Sequence, residues 1–168
     1  MPKEDVIISG SKIKFKGTFD LSIFYDKLRF WIMEEGYSNP CQAGERKYAE
    51  KIKPNGKQLE ILWETSQGFE SDYFKIVIKI GIFVVGLNEV EVDKAGKKIK
   101  LDNGEIEITF NTSLIRNADD SWNENSLMFR LYERYIIRDK IEEHKIMAYK
   151  TTNDLVDEVK NFFNLYRF

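Results

Sequence analysis

Cysteine is nearly absent from this chain. The single copy, Cys41, excludes an intrachain disulfide, and a domain that folds without such staples suits a reducing compartment. Histidine is as scarce. With one imidazole, His144, and one thiol, the chain cannot build a Cys/His zinc site alone. An excess of one charge is also missing. The 26 basic and 28 acidic residues leave a formal net charge of −2 with the signs interspersed. No overall draw to nucleic acid or an anionic membrane follows from that balance. Long apolar runs are lacking: the longest, Ile80 to Leu87, contains two glycines and falls far short of the ~20 residues a membrane-spanning helix needs. The opening Met1-Pro2-Lys3-Glu4-Asp5 has two acids and no apolar stretch, unlike a secretory signal. The expectation is an intracellular, cytoplasmic protein. Glycine-rich phosphate loops and a calcium-loop pattern are both missing, so neither a cofactor nor a metal is expected.

What the chain has is apolar and aromatic bulk. Of its 168 residues, 42% are hydrophobic and 14% aromatic, ample for one core of large side chains. No internal repeat and no Pro/Gly/Ser linker divides it. Residues 1–168 therefore read as a single domain.

The periodicities predict an α+β fold. Ile13 and Phe15 alternate with Lys12, Lys14 and Lys16, as in a half-buried strand. Leu21, Phe24, Leu28, Trp31 and Ile32 form one helical stripe over 20–35, with Thr18 or Asp20 as cap and Gly36 as stop. Strands are predicted over 45–53 and 57–64, around the Pro54-Asn55-Gly56 turn, with 65–72 a polar loop. The longest strand, 73–85, carries Phe74, Ile76, Ile78, Ile80, Ile82 and Val84 on one face, with Tyr73, Lys75 and Val77 on the other. Strands over 89–93, 97–101 and 105–115 follow, the last two joined by an Asp102-Asn103-Gly104 hairpin. Ser121 and Glu124 fit a capping box for a helix reaching about residue 143. Its apolar side is Leu127, Met128, Leu131, Tyr132, Tyr135 and Ile136. After a break at 146–150, a last helix is capped by Thr152 or Asn153. The sum is an antiparallel meander of about six to seven strands, with an N-terminal helix and two C-terminal helices packed on one face.

No constellation announces a chemistry. His144 follows Glu142-Glu143, and a histidine near a helix end reads more readily as stabilising than as a general base. Cys41 sits in a loop with no activating partner near it in sequence. The pairs Glu34-Glu35, Asp119-Asp120 and Glu142-Glu143 read as caps or solvated surface. Arg130, Arg134 and Arg138, four apart, stack on one face of an ideal helix. With aromatics beside them they could meet phosphates and bases, although Glu133, Asp139 and Glu142 adjoin them and favour an ion-paired surface. Gly81, inside the longest strand, marks a bulge or a close approach of something to the backbone. The aromatics exceed what a core needs. Trp122, Phe163, Tyr166 and the final Phe168, together with the three arginines, form a candidate interface, since aromatics and arginine are enriched in such surfaces.

The order of strand, helix, meander and long helix resembles the helix-grip arrangement of lipid-transfer and polyketide-cyclase-like domains. It departs from that order in having one helix after the first strand instead of two, and in not ending on its longest helix. The resemblance implies a pocket for a small apolar ligand between helix and sheet. The expectation favoured by the residues themselves is a non-enzymatic assembly or accessory protein that acts through a protein partner or self-association. Nucleic-acid binding through the helix arginines stands as a further alternative.

Overall fold

A computed structural model describes residues 2–69, 73–123 and 125–166, apart from the side chain of Ala43. Five antiparallel strands form one open sheet in the order β1-β5-β4-β3-β2. The strands are β1 (Lys3–Phe19), β2 (Glu45–Lys53), β3 (Gly56–Phe69), β4 (Phe74–Lys94) and β5 (Lys97–Arg116). The helices are α1 (Leu21–Glu34), the short α2 (Leu127–Leu131) and the long α3 (Arg138–Asn164). The α+β class, with one helix near the N-terminus and the others after the sheet, agrees with the sequence reading, but the strand count does not.

The lower count has a local cause. Residues 73–85 and 89–93 run together as β4, and 97–101 and 105–115 as β5, because the turn lies at Ala95-Gly96 rather than at 102–104. Ala95 and Gly96 take φ of 54° and 77° between the paired Lys94 and Lys97, the two positive φ angles a two-residue hairpin needs. Asp102 and Asn103 have other work: the Asp102 carboxylate accepts from the Leu21 amide at 3.1 Å, and Asn103 donates to Thr18 at 3.3 Å. Both tie the start of α1 to the sheet. Gly104 stays small for space, since a Cβ there would meet the Val85 carbonyl at 3.1 Å, opposite the bulge between Val85 and Asn88. The expected polar loop at 65–72 is strand as far as Phe69, which pairs with Phe74; residues 70–72 lie outside the described residues.

At the N-terminal helix the reading holds. Asp20 caps α1 by accepting from the Ile23 amide at 3.0 Å, and Gly36 takes φ of 87° just beyond it. Beyond β5 the reading fails. Ser121 donates to Asp119 at 3.0 Å instead of capping a helix; Glu124 lies outside the described residues. The helix begins at Leu127, passes into a π-helical turn over Tyr132–Ile136 and bends at Ile137 before α3 starts. No break occurs at 146–150. Thr152, expected as a cap, is buried within α3, where its hydroxyl bonds to the Ala148 carbonyl at 2.9 Å and to Thr112 at 2.6 Å. The described chain therefore ends on its longest helix, which removes one departure from the helix-grip order.

α1 and α3 lie on one face of the sheet. Beneath them Phe74, Ile76, Ile78, Ile80, Ile82 and Val84 of β4 meet Ile106, Ile108, Phe110 and Leu114 of β5, each no more than 1% exposed. Phe24, Leu28, Ile32, Leu155, Val159 and Phe163 press on them from the helices. A ligand cavity would leave accessible area on its walls. Over the middle of the sheet, among the described residues, the chain's own side chains fill the space; an open cleft of about 670 Å³ remains at one end, between α1, the end of α3 and the β4–β5 hairpin, lined by Ile23, Lys27, Val92, Leu101, Phe162 and Tyr166.

The connection after β5 hangs on one residue. Asn117 is fully buried with φ of 55°. Its side chain donates to the Trp122 carbonyl at 2.8 Å and accepts from the Trp122 amide at 3.1 Å. Asn117→Ala leaves both backbone groups without that partner and puts a Cβ residue with no local hydrogen bond in the left-handed region. The expected loss in urea unfolding is about 2–4 kcal/mol. A loss under about 0.5 kcal/mol would show that the bracket does not hold the loop.

Candidate functional site

The segment that connects the sheet to α3 presents the largest run of uncovered apolar side chains. Two residues tether it. Phe129 is fully buried, with the Lys3 ammonium 5.0 Å from its ring centre. Glu133 turns inward to Arg116 at 3.1 Å, Lys3 at 3.5 Å and the Tyr73 hydroxyl at 3.3 Å. Arg116 in turn meets Asp5 at 2.8 Å, and Lys145 of α3 approaches the same carboxylate at 3.9 Å. This half-buried cluster joins β1, β5, the π-helical turn and α3. Tyr73, assigned by alternation to the open face, is buried here against Tyr132, their rings 6.0 Å apart.

With those two turned inward and Tyr132 half-buried against Tyr73 and Trp122, the other apolar residues face out. Leu127, Met128, Tyr135 and Ile136 are 70%, 66%, 70% and 68% exposed, and Leu131 is 43% exposed. These are the residues assigned from sequence to the buried side of a helix. Arg130, Arg134 and Arg138 are also exposed, but the π-helical turn and the bend at Ile137 interrupt the straight stack that four-residue spacing implied. Arg134 lies 5.5 Å from the Tyr135 ring. Among the described residues none of the three arginines has a carboxylate within ion-pair distance, so the ion-paired surface expected from Glu133, Asp139 and Glu142 does not form.

The other candidate interface residues are divided. Trp122 is half-buried and stacks on Tyr132 at 4.8 Å, next to the exposed segment. Phe163 is 2% exposed and stacks on Phe15 at 4.8 Å. It is a core residue, offered to no partner in this fold. Tyr166 is half-buried against Phe162, 5.2 Å between rings. Phe168 lies outside the described residues.

The two residues considered for catalysis sit in unlike places. His144 is buried, its ring 4.9 Å from Phe69 and 4.6 Å from Phe74, so no face of the imidazole is open to a substrate. The Cys41 thiol lies 3.3 Å from the Tyr25 hydroxyl. That hydroxyl donates to Glu45 at 2.7 Å, and the Trp63 indole donates to the same carboxylate at 2.9 Å. Burial, then the bonds to Cys41 and Glu45, raises the Tyr25 phenol well above its ordinary range. A phenol that holds its proton is no base at neutral pH. Among the described residues no group of three or more His, Cys, Asp and Glu side chains is placed to hold a metal ion, and no helix is long and apolar enough to cross a membrane.

The outer sheet face is uncovered. Lys12 and Lys14 both approach Glu107 at 3.5 Å, Lys47 meets Glu60 at 2.7 Å, and Arg46 meets Glu64 at 3.3 Å. An open trough of about 610 Å³ crosses this face over Gly81. Gly81 marks no bulge, since its register with Leu62 and Thr109 is unbroken. A Cβ there would make only ordinary contacts, at 3.5 Å and 4.0 Å. At the same face Asn111 accepts from the Gly10 amide at 2.8 Å, and its neighbour Thr112 is buried.

No protein-family model matches the chain, and comparison with curated proteins finds no similar sequence. The reading of function rests on the residues alone.

The tyrosines yield a pH prediction. Burial first, then nearby acidic charge, raises Tyr37 beside Glu35 and Tyr73 beside Glu133, as burial and hydrogen bonding raise Tyr25. A folded-state value above the unfolded ~10 gives stability that is complete below that pH and declines as pH rises beyond it. In an absorbance titration Tyr25, Tyr37 and Tyr73 should ionise only as the circular dichroism collapses. A single smooth transition of all tyrosines in a still-folded protein would contradict this.

Proposed function

We propose that this chain is a non-enzymatic assembly or accessory protein that works through protein contacts, with residues 127–136 as its contact surface. The observation that carries the reading is the exposure of Leu127, Met128, Tyr135 and Ile136, each about two-thirds uncovered within ten residues. Large apolar side chains scattered singly over a surface need no explanation; a contiguous group of them does. Arginine interleaved with tyrosine is also the composition of interface hot spots. The anchoring of this segment by Phe129 and Glu133 fixes its shape before any partner arrives, which lowers the ordering cost of binding.

Neither alternative has comparable support. The middle of the inner face is filled, and the cleft at its end is open and carries Asp20, Lys27, Asp93, Lys94 and Lys100 among its walls, a poor match to an apolar ligand. The arginines lie along a bent path and share their surface with more apolar side chains than a phosphate-tracking row would carry.

Replacing Leu127, Met128, Tyr135 and Ile136 together by Ser separates a contact surface from a core. Surface positions should change stability by within about 0.5 kcal/mol each, while native mass spectrometry of the protein from its own source should lose the complex it shows for the wild type. A fall of about 2–5 kcal/mol per apolar side chain, as core truncations give, would mean that these residues are packed and not presented.

A further inference from the structure

A second surface on the same molecule has the opposite charge. Glu34 and Glu35 at the end of α1 and Asp154, Asp157 and Glu158 on α3 surround Trp31 in a groove of about 250 Å³. Phe30, one turn before Glu34, is 58% exposed. Among the described residues none of these five carboxylates has a cation within ion-pair distance.

Neither surface is one the monomer would favour. Glu34 and Glu35 stand at the negative end of the α1 dipole, with no basic residue in that last turn. Asp154, Asp157 and Glu158 are three and four apart on one helical face, where like charges repel. Arg130, Arg134 and Arg138 are exposed and, among the described residues, have no carboxylate within ion-pair distance. The acidic pair at residues 34 and 35, read from sequence as a cap or solvated surface, therefore stabilises no helix end. Each surface carries charge of one sign that the other would neutralise, and each sets apolar side chains among its charges.

We propose that the occupant of the 127–136 surface is a second copy of this chain, whose acidic groove around Trp31 receives Arg130, Arg134 and Arg138. The inference rests on the assembly reading above and adds the partner to it. Because donor and acceptor surfaces differ, the contact either occurs twice about a two-fold axis or repeats into a ring or filament.

The test reverses each surface separately. One variant carries Arg130→Glu and Arg134→Glu; the other carries Asp157→Lys and Glu158→Lys. All four positions are exposed, and circular dichroism verifies that both variants fold. In sedimentation equilibrium the wild type should associate at low salt and less so as salt rises. Each variant alone should associate roughly tenfold or more weakly, and an equimolar mixture of the two should regain association, since every contact between unlike copies is again between opposite charges. A wild type that stays monomeric, variants that associate as the wild type does, or a mixture that regains nothing would overturn the proposal. If the wild type is monomeric but carries a different protein that the serine variant loses, self-docking fails and the assembly reading stands. If the serine variant also matches the wild type in every partner measurement, both fail.

Discussion

The structure depends on how one face of one sheet is shared. β4 and β5 offer a continuous inner surface of Ile, Phe, Val and Leu that must leave water. α1 and α3 take up that surface between them, and the contacting side chains end no more than a few per cent exposed. At roughly 25 cal/mol per Å² of apolar area removed from water, this burial is the main driving force for the fold. The sheet is then used up. Apolar residues elsewhere then stay exposed, and among the described residues five of them fall within the segment between β5 and α3.

What would otherwise be a loose connector is held by polar chemistry. Glu133, Arg116, Asp5, Lys3 and Lys145 draw together parts of the chain far apart in sequence, with Tyr73 beneath them. Charges this close to the interior are costly to strand, because removal of one partner leaves another half-desolvated and unpaired. The cluster therefore fixes which way the π-helical turn faces, Glu133 inward and Arg134, Tyr135 and Ile136 outward. Fold and proposed function meet at this point, for the same tether that completes the domain presents its apolar surface.

Much of the fold was legible in the sequence because it rests on local physics. The α1 stripe, its Asp20 cap and its Gly36 stop are all settled within one helix. The six inward residues of β4 follow from strict alternation. The errors came where distant contacts override local signals. Asp102-Asn103-Gly104 has the chemistry of a hairpin, yet Asp102 and Asn103 are engaged by α1 and β1, and Ala95-Gly96 turns instead. Thr152 looks like a cap until Thr112 of β5 gives its hydroxyl a buried partner.

The candidate site was half legible for a related reason. Its arginines and tyrosine were identifiable from residue type, but helical spacing shows only that apolar residues share a side, not that the side is buried. Leu127 and Tyr135 share a side with nothing behind it, because α3 has already closed the core. The facing acids of α1 and α3 were out of reach altogether: Glu34 and Asp157 meet only after α1 has packed on α3. The repulsion along 154–158 was a signal available in the sequence, although it does not by itself name a partner.

The most direct test of the central claim, that residues 127–136 form a presented surface and not core, is hydroxyl-radical footprinting read by mass spectrometry at two protein concentrations. Met128 and Tyr135 are both reactive and both about two-thirds exposed. They should label strongly in dilute protein and become protected once the protein is assembled, while buried Phe129 and Trp63 stay protected throughout. Protection of Met128 and Tyr135 already in the dilute monomer, or full labelling in the assembled state, would contradict the account.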